Sequence, residues 1–294
     1  MKQINQSPID SNELSPYLSC LDYTVSRETF SISIDRKSEL LVTTPRPLGK
    51  DLAKYYESES YISHSNSNKS ILDKVYHIVR SYTVKQKVKL CNSLNQTDKT
   101  ILDIGAGTGD FLVACEKNGW KISGVEPNAK ARALIKTKLQ ITNHRIFKNI
   151  EELKLETYDV ITMWHVLEHV PNLMEYVSRL KQLLKPNGTL IIAVPNYKSH
   201  DANYYKEYWA AYDVPRHLWH FSRTAILKLF QQENMMVVKT LPMKFDSFYV
   251  SLLSEKYRTG KSNFLKAFFV GLRSNWLARS SKEYSSIIYV IKKG

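Results

Sequence analysis

The stretch ILDIGAGTGD, Ile101 to Asp110, runs from an apolar segment directly into a glycine-rich turn. A short apolar run before such a turn predicts a buried β-strand that ends where the backbone must bend tightly. Glycine has no Cβ, so the backbone at Gly105, Gly107 and Gly109 can approach a bound ligand closely. The segment therefore predicts the strand and the ligand-binding turn of an α/β domain that holds an adenosine-containing cofactor.

Apolar strands and helical segments alternate from residue 100 onward. Strands are predicted at residues 100–104, 121–125, 145–147, 158–163, 189–194, 235–241 and 286–291. Helices are predicted at residues 110–118, 128–139 and 173–184, with a further helix that Ser222 could cap and a helical insertion at about 246–283. Strands that alternate with helices predict a doubly covered, mostly parallel sheet with right-handed crossovers.

The N-terminal part has a different pattern. Residues 1–19 are polar and predict a loose tail, residues 29–44 alternate as a hairpin does, and residues 48–56 and 67–93 read as a short and a long helix. We therefore divide the chain into an N-terminal appendage, residues 1–65, and a main domain, residues 66–294.

Composition narrows the class of protein. The three cysteines, Cys20, Cys91 and Cys115, are widely spaced, which argues against a disulfide framework. No apolar run approaches the ~20 residues that span a bilayer, which predicts a cytoplasmic protein. The net charge of +14 would suit a basic RNA-binding protein, but no RNA-binding module is recognisable, so we expect no nucleic acid partner.

The glycine turn departs from the dinucleotide-binding fingerprint G-x-G-x-x-G, because Asp110 occupies the third glycine position. The turn instead reads D-x-G-x-G-x-G, beginning at Asp103. Glu126 in the segment GVEPN ends the second strand, where a carboxylate can accept both hydroxyls of a ribose. That spacing occurs in dinucleotide-binding folds and also in folds that bind another adenosine-containing cofactor, so it does not identify the cofactor.

Four segments decide the class together. The chain resembles class I S-adenosylmethionine-dependent methyltransferases through ILDIGAGTGDFL, GVEPN, YDVITMWHVLEHVPN and LLKPNGTLIIAVPN, in that order and spacing. The segment DVPRHLWHFS narrows the resemblance to a bacterial subgroup related to quinone O-methyltransferases. It implies a Rossmann-like α/β fold with a seven-stranded, mostly parallel sheet, and S-adenosylmethionine as cofactor with S-adenosylhomocysteine as product.

The resemblance also implies which residues contact the donor. They surround its methionine, ribose, adenine and sulfonium groups and are Tyr61, Asp103, Gly105, Ala106, Gly107, Thr108, Gly109, Glu126, Pro127, Asn149, Ile150, Trp164 and His165. Tyr61 could equally serve packing, and Asn149 could instead cap a helix. In the subgroup the appendage often carries paired cysteines that bind zinc; only Cys20 remains here, so the appendage is a degenerate form and we expect no metal in it.

Two polar clusters follow strand ends, where an acceptor crevice is expected. The segment HVLEH holds His165, Glu168 and His169. It matches a zinc-protease motif, but its position between a strand and a helix disfavours that activity. A metal ion there and a structural His169 are the alternatives, and we assign no metal.

The second cluster lies in an aromatic loop, residues 196–221, and contains Asp213, Arg216, His217 and His220. His217 is the first candidate for a general base and His165 the second. Arg216 could bind an acceptor anion, or pair with Asp213 to fix the loop. We expect O-methylation of a small or lipid-linked acceptor. C-methylation of a sugar, methylation of RNA and a non-catalytic scaffold are the alternatives.

Residues 261–279 interleave large apolar and basic side chains at helical spacing. Such a segment suits an interfacial helix that contacts the inner membrane surface peripherally. The same spacing is also typical of an amphipathic helix whose Phe-rich stripe packs on the core, which is the more common arrangement.

Overall fold

The computed structural model describes residues 1–56, 71–94, 98–139, 145–154 and 156–294. A seven-stranded sheet forms the centre, in the order β10-β11-β8-β7-β4-β5-β6. Its strands are β4 (Thr100–Ile104), β5 (Lys121–Val125), β6 (Ile146–Phe147), β7 (Tyr158–Trp164), β8 (Leu184–Pro195), β10 (Met235–Pro242) and β11 (Ser286–Lys293). Strand β11 runs antiparallel to both neighbours, and the remaining pairs are parallel. The predicted mostly parallel seven-stranded sheet is confirmed.

Helices cover both faces of this sheet. They are α1 (Lys50–Ala53), α2 (Ile71–Asn92), α3 (Asp110–Glu116), α4 (Ala129–Leu139), α5 (Leu173–Leu183), α6 (His200–Tyr205), α7 (Arg223–Gln232), α8 (Asp246–Thr259) and α9 (Phe264–Ser281). Successive residues of β4 point to opposite faces. Ile101 packs with α2, α3 and α4, whereas Leu102 packs with α5 and α7. The start predicted for the long helix lies outside the described residues.

The N-terminal residues form a second, antiparallel sheet in the order β1-β2-β3-β9. Its strands are β1 (Ser15–Leu21), β2 (Thr29–Asp35), β3 (Leu40–Thr43) and β9 (Trp219–His220). The hairpin β2–β3 is present, but the loose tail predicted for residues 1–19 is wrong. Strand β1 pairs with β2, and Ile9 is buried in the main core. Hydrogen bonds between its backbone and the hairpin order this segment. Such bonds do not depend on side-chain hydrophobicity, so the hydrophobic pattern of the sequence did not predict them.

Strand β9 comes from the aromatic loop, so the antiparallel sheet takes strands from both sides of residue 65. The division of the chain at that residue stays a prediction. Helices α8 and α9 form a hairpin between β10 and β11, as the sequence predicts for the insertion. In the parts of the chain that are described, no helix combines the length and hydrophobicity needed to cross a membrane.

Candidate functional site

The carboxyl ends of β7, β4, β5 and β6 lie side by side, and the glycine turn after β4 sits among them. Gly105 has a φ of +75°, and a Cβ there would collide with the side chain of Val166. Gly107 has a φ of +54°, and a Cβ there would meet no atom of the described residues within 4 Å. Gly105 is therefore required by packing, whereas the backbone at Gly107 borders open space that a ligand can occupy.

Glu126 ends β5 beside this turn and is 8% exposed. Its Oε2 accepts a hydrogen bond from the Gly107 amide at 2.8 Å, and its Oε1 accepts one from the Asn128 amide at 2.8 Å. Burial raises the pKa of this carboxyl, although the two amides oppose the shift. A carboxylate has about four acceptor positions. Glu126 is therefore fixed in place and still has capacity for two hydroxyl donors.

Asp103 lies one strand inward and is almost fully buried. Its Oδ1 accepts a hydrogen bond from the Thr162 hydroxyl at 2.6 Å. Burial raises the pKa of Asp103 to about 7, and the hydroxyl of Thr162 and the ammonium of Lys87 only partly oppose this. Asp103 therefore exchanges its proton near neutral pH, and a cationic ligand nearby would favour its ionised form.

Side chains of two neighbouring helices bind the rest of the glycine turn. Arg80 of α2 donates to the Thr108 hydroxyl at 2.9 Å and also pairs with Asp110. Lys138 of α4 donates to the Thr108 carbonyl at 2.8 Å. These contacts fix α2 and α4 against the turn. Ala106 is buried and Pro127 is exposed.

The adenine positions predicted after β6 lie at the same sheet edge. The Asn149 side chain accepts a hydrogen bond from the Glu152 amide at 3.1 Å, which is the helix-cap arrangement. Ile150 is buried. Tyr61 lies outside the described residues.

Trp164 and His165 end β7. The ring of Trp164 packs edge-on against Phe111, and the ammonium of Lys87 lies 4.3 Å from the ring centroid. The indole nitrogen of Trp164 is buried, with no hydrogen-bond partner among the described residues. His165 has a φ of +58°, an unusual conformation for a residue with a side chain. Such strain clusters at functional sites.

Carboxylates hold His165 on both ring nitrogens. Its Nε2 lies 3.1 Å from Asp246 of α8, and its Nδ1 lies 3.4 Å from Glu168. Burial disfavours the charged ring, but Asp246 and Glu168 outweigh that effect and raise the pKa of His165 to about 10. His165 is therefore an imidazolium at neutral pH and has no free lone pair, which disfavours it as a general base.

Beyond His165 lies a group of three side chains. Glu168, His169 and His217 bring one ligand atom each to within 4.8 Å of one another. Neither carboxylate oxygen of Glu168 has a well-formed hydrogen bond within the described chain, although both are buried. Burial lowers the pKa of His169 to about 4, so this ring is neutral. A buried carboxylate whose oxygens have this spare acceptor capacity can accept from an acceptor hydroxyl, or it can bind a cation together with the two imidazoles.

His217 is fixed in one tautomer. Its Nδ1 lies 2.8 Å from the Ala211 carbonyl, which can only accept, so Nδ1 carries the hydrogen. The lone pair is then on Nε2, which lies 3.9 Å from Asp213. The ring also packs edge-on against His169, with centroids 4.6 Å apart. His217 therefore presents a basic nitrogen that nearby carboxylates can stabilise once it is protonated.

The other two loop candidates have structural partners. Arg216 is buried and donates to both oxygens of Asp213, to Asp22 at 2.9 Å and to the Tyr55 carbonyl. This geometry favours the alternative in which Arg216 fixes the loop. His220 lies 3.0 Å from the Thr43 hydroxyl, and burial holds its pKa well below the ordinary value.

Sequence reasoning missed Lys87 and Asp246. Each reaches the site from a helix outside the four recognised segments, and no local motif marks either position. The structure joins Asp103, Glu126, Trp164 and His165 along one sheet edge, and a row of contacts continues from His165 through Glu168 to His217.

Residues 76–240 match the family model described as a methyltransferase domain. Ubiquinone biosynthesis O-methyltransferases are similar: that of Histophilus somni is 33% identical over 34% of this chain and 46% of its own length. That of Rickettsia typhi is 30% identical over 50% of this chain and 61% of its own length. The chain thus spans about half the length of the curated relatives it matches.

Solved structures agree on the fold. Magnesium protoporphyrin IX methyltransferase from Synechocystis PCC 6803 superposes with a TM-score of 0.53, at 14% identity over 82% of this chain and 97% of that one. A cyclopropane synthase from Mycobacterium tuberculosis has a TM-score of 0.53, at 12% identity over 85% of this chain and 100% of that one.

Proposed function

The chain belongs to the methyltransferase-domain family, and from this premise we propose that it transfers a methyl group from S-adenosylmethionine to a hydroxyl of a small-molecule acceptor. The observation that carries the proposal is the pairing of Glu126 with the open backbone at Gly107. A fixed carboxylate beside a glycine whose backbone is open to a ligand is what a ribose and an adjoining sulfonium chain require.

The residues fit this donor in three respects. Glu126 retains acceptor capacity for the ribose hydroxyls, and Gly107 borders space that none of the described side chains fills. Asp103 can ionise in response to the ammonium of the donor's methionine portion. When bound, S-adenosylmethionine supplies an electrophilic methyl group on a positively charged sulfur.

The acceptor would bind beyond Trp164, along the row from His165 to His217. His217 takes the acceptor proton on Nε2 while its Nδ1–H remains bonded to Ala211. Transfer of the methyl group from the bound donor to the acceptor oxygen would leave the donor's sulfur as a neutral thioether. The proton rests on His217, where Asp213 and Glu168 stabilise the imidazolium until water removes it.

His165 has a different part in this proposal. As an imidazolium held by Asp246 and Glu168, it keeps the Glu168 carboxylate ionised and oriented toward the acceptor space. The O-methyltransferase relatives, and the orientation of His217 with its Nδ1–H bonded to Ala211, support transfer to oxygen over transfer to carbon. A divalent ion on Glu168, His169 and His217 is the alternative way to activate a hydroxyl.

Calorimetry with S-adenosylhomocysteine tests the donor half of the proposal, since it needs no acceptor. We expect saturable binding with one site per chain. The acceptor half is tested by transfer of a labelled methyl group to a panel of phenols, catechols and aliphatic alcohols. Absence of donor binding would overturn the whole proposal, and transfer only to carbon or nitrogen acceptors would overturn the choice of oxygen.

A further inference from the structure

Helix α9 turns its small side chains toward the protein and its large apolar side chains toward solvent, the reverse of an ordinary surface helix. The face that packs against the protein carries small residues, including Ala267, Gly271, Ser274 and Ala278, all buried. A Cβ at Gly271 would lie 2.8 Å from the ring of Phe248, so α9 and α8 approach closely through this face. The Phe-rich stripe does not pack on the core, and the more common arrangement considered for this segment is wrong here.

The large apolar side chains of α9 face outward instead. Those with roughly half or more of their surface exposed are Phe264 (48%), Leu265 (75%), Phe268 (51%), Phe269 (63%), Leu272 (47%) and Trp276 (64%). Single exposed apolar residues are ordinary, but a contiguous set on one helix marks an interaction surface. We call this set the α9 face.

Cations share the α9 face, and acids are absent from it. Residues 256–282 contain no Asp or Glu, and their basic residues are Lys256, Arg258, Lys261, Lys266, Arg273, Arg279 and Lys282. A groove of about 500 Å³ is lined by Lys244, Phe269, Leu272, Arg273, Asn275, Trp276 and Arg279. In the described part of the chain, Lys244, Arg273 and Arg279 form no ion pair, so these cations are available to a partner.

From this arrangement we propose that the α9 face docks on the surface of an anionic lipid bilayer. Exposed Phe, Leu and Trp side chains enter the region between headgroups and acyl chains, while Arg273, Arg279 and Lys244 bind anionic headgroups. A second copy of the chain fits less well, since a symmetric contact would bring like charges together. Nucleic acid would engage the cations but leave the apolar side chains in water.

The α9 face also leads toward the candidate site. Phe248 of α8 stacks on Phe268 with centroids 5.4 Å apart. Phe245 follows Lys244, and its ring packs edge-on against Tyr82 of α2, with the ring centroids 5.8 Å apart. The next residue, Asp246, pairs with His165. Docking therefore sets the acceptor side of the site near the bilayer. An acceptor with an apolar tail could then enter from the membrane, a consequence that rests on the proposed function, whereas the docking itself does not.

The test is co-sedimentation of the full chain with vesicles of phosphatidylcholine alone or mixed with phosphatidylglycerol. We expect binding to the mixed vesicles that weakens as salt rises. The double variant Arg273→Glu/Arg279→Glu should bind these vesicles on the order of 10- to 100-fold more weakly. The variant Phe269→Ser/Trp276→Ser should also lose binding. All four side chains are on the surface, so thermal unfolding should be unchanged.

Matched controls come from exposed residues elsewhere. Lys130→Glu/Lys136→Glu on α4 changes the net charge equally, and Leu227→Ser/Met236→Ser removes two apolar groups that are each at least half exposed. Both controls should bind as the wild type does. Failure of the wild type to bind mixed vesicles would overturn the proposal. So would a concentration-dependent dimer, seen by light scattering, that Trp276→Ser abolishes, and so would vesicle binding that the apolar variant leaves unchanged.

Discussion

The guanidinium of Arg216 lies 2.9 Å from the carboxylate of Asp22, which stands 194 positions earlier in the chain. The same guanidinium holds Asp213 with two hydrogen bonds, and these acids keep the pKa of Arg216 above its ordinary value although burial opposes this. One buried cation thus ties the antiparallel sheet to the loop that carries His217. The residue that looked like an anion-binding group in the sequence is already occupied by the protein's own anions.

Replacement of Arg216 should therefore damage stability more than donor binding. Arg216→Ala leaves Asp22 and part of Asp213 buried without a counter-ion, and such a change typically costs about 3–5 kcal/mol. Urea unfolding measures the loss. Arg223→Ala is the control, because Arg223 forms a half-exposed pair with Glu283 and should cost less than ~1 kcal/mol. Equal stability of the two variants would contradict a role for Arg216 in fixing the loop.

His217→Ala should reduce turnover by roughly 10²-fold or more, the usual contribution of a positioned base. Affinity for S-adenosylhomocysteine should stay at the wild-type value, since His217 is proposed to contact only the acceptor. His200→Ala is a suitable control, because His200 lies on α6 beside Tyr204 and outside the row of site residues. The measurement is steady-state methyl transfer with the best acceptor from the panel. Near-normal turnover of His217→Ala would remove the base role.

Removal of metal ions by a chelator distinguishes the mechanism in which His217 is the base from the one in which a metal ion activates the hydroxyl. If His217 accepts the proton, dialysis against EDTA should leave methyl transfer unchanged. The metal alternative predicts that chelation abolishes transfer and that Zn²⁺ or Mg²⁺ restores it. Glu168→Gln provides a second reading, because only a metal-dependent enzyme should then need a higher metal concentration to regain its activity. Metal-dependent recovery in the wild type would contradict the base mechanism.

Glu126→Ala should weaken binding of S-adenosylhomocysteine by about 1.5–3 kcal/mol, the scale of hydrogen bonds to a charged group. The variant also removes the acceptor for the Gly107 amide, so part of the loss comes from a less rigid turn. Glu116→Ala controls for net charge, because Glu116 is an exposed acid at the end of α3 that lies away from the turn. Isothermal titration calorimetry compares the three proteins, and equal affinities would remove Glu126 from the donor site.

Local sequence patterns predicted the central sheet well. They did not predict the features that depend on contacts between residues far apart in the chain. The bounds of β4 and β5 match their predicted ranges, because each is a short apolar run that ends at a glycine or an acid. Strand β1 was missed since its order depends on pairing with β2. The charge of His165 depends on Asp246, which a separate helix brings to it. Periodicity reports burial along one element, whereas a side chain's protonation state depends on which elements meet.

The effect of Asp103 on the stability of the folded protein should depend on pH. The folded carboxyl has a pKa of about 7 against an ordinary value of 3.8, chiefly because it is buried. Between those two values the folded state holds more protons than the unfolded state, so the contribution of Asp103 to stability falls as pH rises through this window. Above it, the ionised group costs the folded state on the order of 4 kcal/mol. Asp103→Asn resembles the protonated carboxyl and should remove that cost. We therefore expect the variant without ligand to be more stable than the wild type at about pH 8, with a smaller advantage at about pH 5.

The same substitution should act in the opposite direction on donor binding. The α-ammonium that S-adenosylhomocysteine shares with the donor favours the ionised carboxylate, so wild-type affinity for S-adenosylhomocysteine should rise between about pH 6 and pH 8, and Asp103→Asn should flatten that rise. Thermal unfolding and calorimetry across the pH series measure the two effects on the same samples. Asp51→Asn, at an exposed acid of α1, should follow the wild type in both. A stability gain for Asp103→Asn that is equal at both pH values would mean that Asp103 does not change its protonation in this window. A pH-dependent gain without any change in donor affinity would instead show that Asp103 titrates but does not face the donor.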